Sequence, residues 1–225
     1  MDPHEFARSL HEGADRERAM HWEEAAAFYA GLVRGLGSIA AQDARGRAMR
    51  AMALLRQGNA LMELARWEEA RQVLDDALHD AQGSGDAGVV AQALLAAGVF
   101  AANRADAPRA EAFMLDALER FHATDDRASL QGRGWAFLNL ATLYGKTGRI
   151  DLAFVTFHKA RDVLGAARNW AGVAAAWEAQ AQLRRGMGDE DRWREDLAEA
   201  VIFYERDGMR EKADRLRAVI GRKLV

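Results

Sequence analysis

The sequence contains no cysteine, which excludes disulfides and thiolate metal sites. It has two prolines in 225 residues, and after Pro3 only Pro108 interrupts the chain. Little in it would break a long helix. No apolar run approaches the roughly 20 residues a membrane helix needs, and the opening "MDPHEFARSL" lacks the apolar core of a secretory signal. A soluble, cytoplasmic protein with no membrane partner is expected. A basic excess is also missing: the formal net charge is -3 and the pI about 6.1. Proteins that rely on phosphate contacts carry a positive stripe, so no nucleic acid is expected as a partner. The one cationic stretch, Arg206 to Lys223, is interleaved with Asp207, Glu211 and Asp214. That mixture is the pattern of a solvated helix face.

What is abundant is alanine, leucine, arginine and glutamate, the good helix formers. With 50% hydrophobic and 29% charged residues, the chain can bury a substantial core. Runs of alternating β-branched residues are lacking. The composition predicts an all-α protein.

A repeat runs through it. "WEEAAAFYAGLV" from Trp22 and "WEEARQVLDDAL" from Trp67 begin identically. Ala25, Ala70, Ala110, Ala153 and the altered Trp193 stand 45, 40, 43 and 40 residues apart. Ahead of each lies a set with offsets 3, 4 and 7: Leu54, Gln57, Gly58, Leu61, then Leu94, Ala97, Gly98, Ala101, then Phe137, Leu140, Ala141, Tyr144. A fifth set reads Trp177, Gln180, Ala181, Arg184, and a worn first one Ser9, Glu12, Gly13, Arg16. Those offsets place the four on one helix face. The small member (Gly13, Gly58, Gly98, Ala141, Ala181) lets a partner helix approach, and Ala25, Ala70, Ala110 and Ala153 answer from that helix. Ala77, Ala117, Ala160 and Ala200 repeat the device seven positions on. Gly148 and Gly188 mark tight turns between the two helices.

This layout resembles the tetratricopeptide repeat. The spacing exceeds the standard ~34 residues by about two helical turns, and is similar to the long repeats of kinesin light chain and of bacterial peptide-sensing regulators. The resemblance implies a right-handed α-solenoid of about five hairpins. A single domain over 1–225 is expected, with repeats at about 6–40, 51–84, 91–124, 134–167 and 174–207, joined by linkers such as "GSGD" (83–86), "ATDD" (123–126) and "RDGM" (206–209). Met209, Ala213, Leu216 and Ile220 fall at helical spacing and predict a capping helix over 209–223, against which Trp193 would pack. Repeat one is expected to start near residue 6, so the DNA-binding helices of related regulators are not expected ahead of it in this sequence.

Gly145-Lys146-Thr147 ends like a phosphate loop. Such a loop needs a preceding strand and a glycine at 140, where Leu140 stands in a helical pattern. The tripeptide reads as a helix end. His4, His11 and Asp15 share one face of a first helix, but the solvated reading is preferred and no metal or other cofactor is expected. No Ser-His-Asp set or paired-acid spacing is present, so the chain is read as not an enzyme.

In a repeat array the first helices line the concave face. Positions there without internal duty include Leu55, Arg56, Asn59 and Met62, then Asn103, then Trp135, Leu138, Asn139, Thr142 and Lys146, then Glu178, Gln182 and Arg185. Arg56, Asn59, Asn103, Trp135, Asn139, Lys146, Gln182 and Arg185 are the candidate partner-binding residues. Asn can donate to and accept from a peptide backbone. Arg and Lys can hold carboxylates, and Trp135 offers an apolar anchor. Trp135 and Trp170 are the tryptophans least clearly internal. The resemblance implies capture of a protein or peptide on this face. The chaperone-tail subtype does not fit, because Leu55, Ala96, Trp135 and Asn139 depart from its Lys/Asn/Arg set and only Asn59 matches. The expected function is a protein- or peptide-binding scaffold or adaptor; the alternatives are a peptide-sensing regulator and a self-associating scaffold forming a homodimer.

Overall fold

The computed structural model describes residues 2–40, 43–122 and 126–221. Among the described residues there are eleven helices and no strand: α1 (Pro3–Arg18), α2 (Trp22–Ala40), α3 (Ala44–Glu63), α4 (Trp67–Ser84), α5 (Ala87–Asn103), α6 (Ala107–Phe121), α7 (Arg127–Lys146), α8 (Ile150–Ala166), α9 (Trp170–Gly186), α10 (Glu190–Arg206) and α11 (Arg210–Ile220). They form five hairpins and a terminal helix, the all-α repeat architecture that the small-residue register predicts.

Local chemistry explains where the helices begin. Each hairpin's first helix starts at an Asp or Asn whose side chain accepts a first-turn amide: Asp2 from Glu5, Asp43 from Gly46, Asp86 from Val89, Asp126 from Ser129 and Asn169 from Gly172, at 2.5–3.0 Å. Such caps satisfy donors that the helix itself cannot. The second helices emerge instead from three-residue turns. In each, one residue is left-handed and the next amide reaches back five residues. His21 N–H donates to Arg16 O, Arg66 to Leu61, Asp106 to Ala101, Arg149 to Tyr144 and Asp189 to Arg184, all at 2.9–3.0 Å. This is the Schellman pattern. The left-handed residue is Gly148 or Gly188 in the later hairpins but Met20, Ala65 and Ala105 in the earlier ones.

The chain divides into two compact units, Met1–Arg120 and Phe121–Val225. In the first, α3 packs on both α2 and α4, and α4 on α5; α3 also touches α1 and α5. In the second, α8 packs on α7 and α9, α10 on α9 and α11, and α7 on α9. The small residues sit at these seams. A methyl group on Gly13 would lie 2.4 Å from the Tyr29 ring, on Gly58 2.6 Å from Leu74, and on Gly98 2.8 Å from Met114. Ala25, Ala70, Ala110, Ala153, Ala77, Ala117, Ala160 and Ala200 have no exposed surface. Trp193 is 1% exposed and forms a cluster with Ala181 and Leu197, against which Leu216 and Ile220 of α11 pack. The terminal helix therefore caps the fifth hairpin.

Two boundaries shift. The cap is helical over Arg210–Ile220, and residues 222–223 lie outside the described residues. Met209 is not part of its apolar stripe: it closes the preceding turn, donating to Tyr204 O, and stays 38% exposed. The "GSGD" linker shrinks to Gly85-Asp86, because α4 continues to Ser84 and Asp86 already caps α5. Of "ATDD", residues 123–125 lie outside the described residues.

Candidate binding surfaces

In the first unit the candidate residues are Arg56, Asn59 and Asn103. Arg56 is engaged by the fold: its guanidinium meets Glu17 at 3.0 Å and ties α3 to α1. Glu17 also lies beside Tyr29, whose phenol is pushed well above its usual range, first by burial and then by this carboxylate. Asn59 and Asn103 are exposed, Asn103 as the last residue of α5. Leu55 and Met62, expected on the open face, are buried at 6% and 9% exposure. Adjacent first helices pack against one another, so long apolar side chains at those offsets are covered.

In the second unit Trp135 is 36% exposed on α7. Asn139, one turn on, is half-buried and donates its amide to the Trp135 carbonyl at 2.8 Å. Among the described residues its Oδ1 accepts no hydrogen bond. Lys146 ends α7, exposed and without an ion pair among the described residues. That is a helix terminus, not a phosphate loop. Gln182 is exposed, and Arg185 lies 5.4 Å from the Trp193 ring centre. Leu138 is buried and Thr142 donates to the Leu138 carbonyl. Glu178 is occupied by the Tyr204 hydroxyl at 2.7 Å and by Lys212 at 3.2 Å. Trp170 is half-buried, stacked on Phe203 with the Arg206 guanidinium 3.5 Å from its ring centre.

The fifth hairpin holds a polar network that the offsets hinted at, since Gln180 and Arg184 stand where the third and fourth copies carry Ala97 and Ala101, and Leu140 and Tyr144. Gln180 Nε2 donates to both oxygens of Asp196 at 2.9 and 3.0 Å, and Arg184 Nε donates to Asp196 at 2.6 Å. Arg161 of α8 donates to Gln180 Oε1 at 2.8 Å and stacks on Trp177. Burial pulls the Arg161 guanidinium below its usual range. These groups satisfy one another, which marks a structural rather than a reactive cluster. Among the described residues no group of three or more His, Asp or Glu is placed to hold a metal, and Asp15 is ion-paired with Arg18. No described helix is long and apolar enough to cross a membrane.

One feature escaped the sequence pattern. A cavity of about 430 Å³ opens between α4, α5 and α6, on the side of the second helices.

No protein-family model matches the sequence, and no curated protein matches it either. Solved structures do. The crystal structure of BtubC (BKLC) from P. vanneervenii aligns at TM-score 0.65 with 14% identity, covering 91% of this chain and 94% of that one. The apo form of RapI aligns at 0.62 with 12% identity, covering 96% and 82%. The nearly identical TPR-like repeats of a Podosopora anserina protein named for kinesin light chain align at 0.59 with 12% identity, covering 93% and 99%. The fold is that of tetratricopeptide-like repeats. At these identities the likeness is one of fold, and it agrees with the long-period tetratricopeptide-like register read from the sequence.

Proposed function

We propose that the chain is a non-catalytic scaffold or adaptor that takes a protein or peptide segment on the face formed by its first helices. The reading rests most on Trp135, a large aromatic left 36% exposed on the first helix of a hairpin whose other large aromatics are buried or half-buried. An exposed Trp is the residue type that most often anchors a partner. Asn139 offers Oδ1 as an acceptor beside it, and Gln182 and Arg185 on α9 add polar contacts. Lys146 would meet a carboxylate, while Asn59 and Asn103 play the corresponding part in the first unit. Arg56 contributes less, since Glu17 already holds it. RapI and the kinesin light chain repeats share this fold, which supports a binding scaffold over an enzyme.

Selection of peptides from a random display library on the purified chain tests the proposal. Enriched sequences should bind with micromolar affinity and weaken at least tenfold with Trp135→Ala. They should weaken several-fold with Gln182→Ala/Arg185→Ala, while Ile202→Ala, exposed on the second helix α10, leaves them unchanged. Peptides that bind all variants equally, or a library that yields none, would overturn it.

A further inference from the structure

The cavity between α4, α5 and α6 exists because of two alanines. Ala97 and Ala101 line it, and they hold the offsets at which repeat two has Gln57 and Leu61 and repeat four has Leu140 and Tyr144. Repeat three alone leaves both positions small, and the missing side-chain volume opens as a hollow at its seam with α4. The walls are aromatic: Trp67 of α4 and Phe100 of α5 lie 6.5 Å apart at their ring centres, and Phe113 of α6 faces the same space. A volume of about 430 Å³ is within the size range of small-ligand sites.

Charge at the rim decides what fits. Three arginines and three acids line the mouth, but they are not equivalent. Glu68 and Asp75 both lie against Arg71, at 3.0 and 3.5 Å, and Arg71 holds the Glu68 carboxyl below its usual range. Asp106 accepts the Arg109 amide at the start of α6. Arg104 and Arg109 form no ion pair with a carboxylate among the described residues, although Arg104 is near enough to Glu68 to add, after Arg71, to the lowering of its carboxyl. Arg104 lies over the Trp67 ring at 6.0 Å and Arg109 over Phe113 at 5.4 Å. Their guanidinium donors are thus parked on the aromatic walls, which also leaves those ring faces closed to a foreign cation. The unmet hydrogen-bonding capacity is cationic, above an apolar floor.

We propose that this cavity binds an apolar carboxylate about the size of one amino-acid residue, aromatic by preference, with its ring among Trp67, Phe100 and Phe113 and its carboxylate on Arg104 and Arg109. A free aryl carboxylic acid and the carboxyl-terminal residue of a peptide share this chemistry. The site lies within the first unit and does not depend on the first-helix face of the second.

Calorimetric titration of the full chain with N-acetyl-phenylalanine and with its amide tests the proposal. The acid should bind with submillimolar affinity and the amide at least tenfold more weakly. Arg104→Gln/Arg109→Gln should bring the acid down to the level of the amide. Ala97→Leu, which restores the residue type of repeat four, should abolish binding with helicity unchanged by circular dichroism, and Trp135→Ala should bind like the wild type. A short peptide ending in phenylalanine, with free or amidated terminus, then assigns the source. A peptide that binds as well as the acid identifies a chain end, and one that does not identifies a small molecule. No heat with the acid up to about 10 mM, equal binding of the amide, or full binding by Ala97→Leu would overturn it.

Discussion

Arg184 and Asp196 meet at 2.6 Å in the fifth hairpin, with Asp196 only 5% exposed and the Arg184 side chain 16%. The pair is held on one side by Gln180 and continued on the other by Asp189, 3.2 Å from the same guanidinium. Removing one member of a buried pair leaves an uncompensated charge and typically costs about 3–5 kcal/mol. Asp196→Ala should therefore destabilise the second unit by that order, measured by urea unfolding. Replacing both, as Arg184→Met/Asp196→Leu, should recover most of the loss. A single variant as stable as the wild type would show that the network contributes little.

The turns supply a second prediction. Ala65 and Ala105 sit at φ +55° and +61°, where the matching residues of later hairpins are Gly148 and Gly188 at φ +78° and +77°. The left-handed region costs a residue with a Cβ about 1–2 kcal/mol, while glycine loses about 0.5–1 kcal/mol in chain entropy. Ala65→Gly and Ala105→Gly should each stabilise by about 0.5–1 kcal/mol, and Gly148→Ala should do the reverse. Thermal unfolding of the double variant reads the gain, on the order of a few degrees.

Those turns also show where the sequence was legible and where it was not. The hairpin register was readable because close helix contact favours a small residue at a fixed offset, as at Gly58 against Leu74 and Gly98 against Met114. The left-handed residues at Met20, Ala65, Ala105 and Arg168 were not, because backbone hydrogen bonds impose that conformation whatever the side chain. The open face was read only in part. Offsets alone cannot tell that Leu55, Met62 and Leu138 are covered by neighbouring first helices, or that Asn139 turns back onto its own backbone. The cavity beside Ala97 was hidden for another reason: it is made by absent volume, and alanine in an alanine-rich chain carries no signal.

Gly46 and Gly58 offer a comparison in which one contact can yield and the other cannot. A Cβ on Gly46 would meet the Ile39 carbonyl carbon and oxygen at 2.6 Å and the Ala40 nitrogen at 2.8 Å, all backbone. On Gly58 it would meet the Leu74 side chain at 2.6 Å, which can change rotamer. Both lie within α3, so the helix-propensity gain of about 1 kcal/mol from alanine is common to both. Gly46→Ala should destabilise the first unit by about 2–3 kcal/mol more than that gain returns, as overpacking against a fixed wall does. Gly58→Ala should stay within about 1 kcal/mol of the wild type. Equal losses in denaturant unfolding would mean that the α2–α3 backbone contact is softer than its geometry.

Alkaline pH should unfold the protein through two of its three tyrosines. Tyr29 and Tyr204 are buried, and burial followed by a neighbouring carboxylate, Glu17 or Glu178, raises each phenol above its ordinary value of 10.0. The unfolded chain loses these protons as pH passes about 10, while the folded chain keeps them. Above that point the unfolded state binds fewer protons, so stability falls as pH rises. Each tyrosine contributes a slope of up to about 1.4 kcal/mol per pH unit. Below pH 9 both are protonated in either state and contribute no slope. Lysines also titrate in this range, so the informative quantity is the difference between the wild type and Tyr204→Phe. Urea unfolding at pH 9, 10 and 11 should give a shallower alkaline decline for Tyr204→Phe, alongside a constant loss from the missing bond to Glu178. If both proteins decline in parallel, the Tyr204 hydroxyl ionises as freely in the folded state as in the unfolded one.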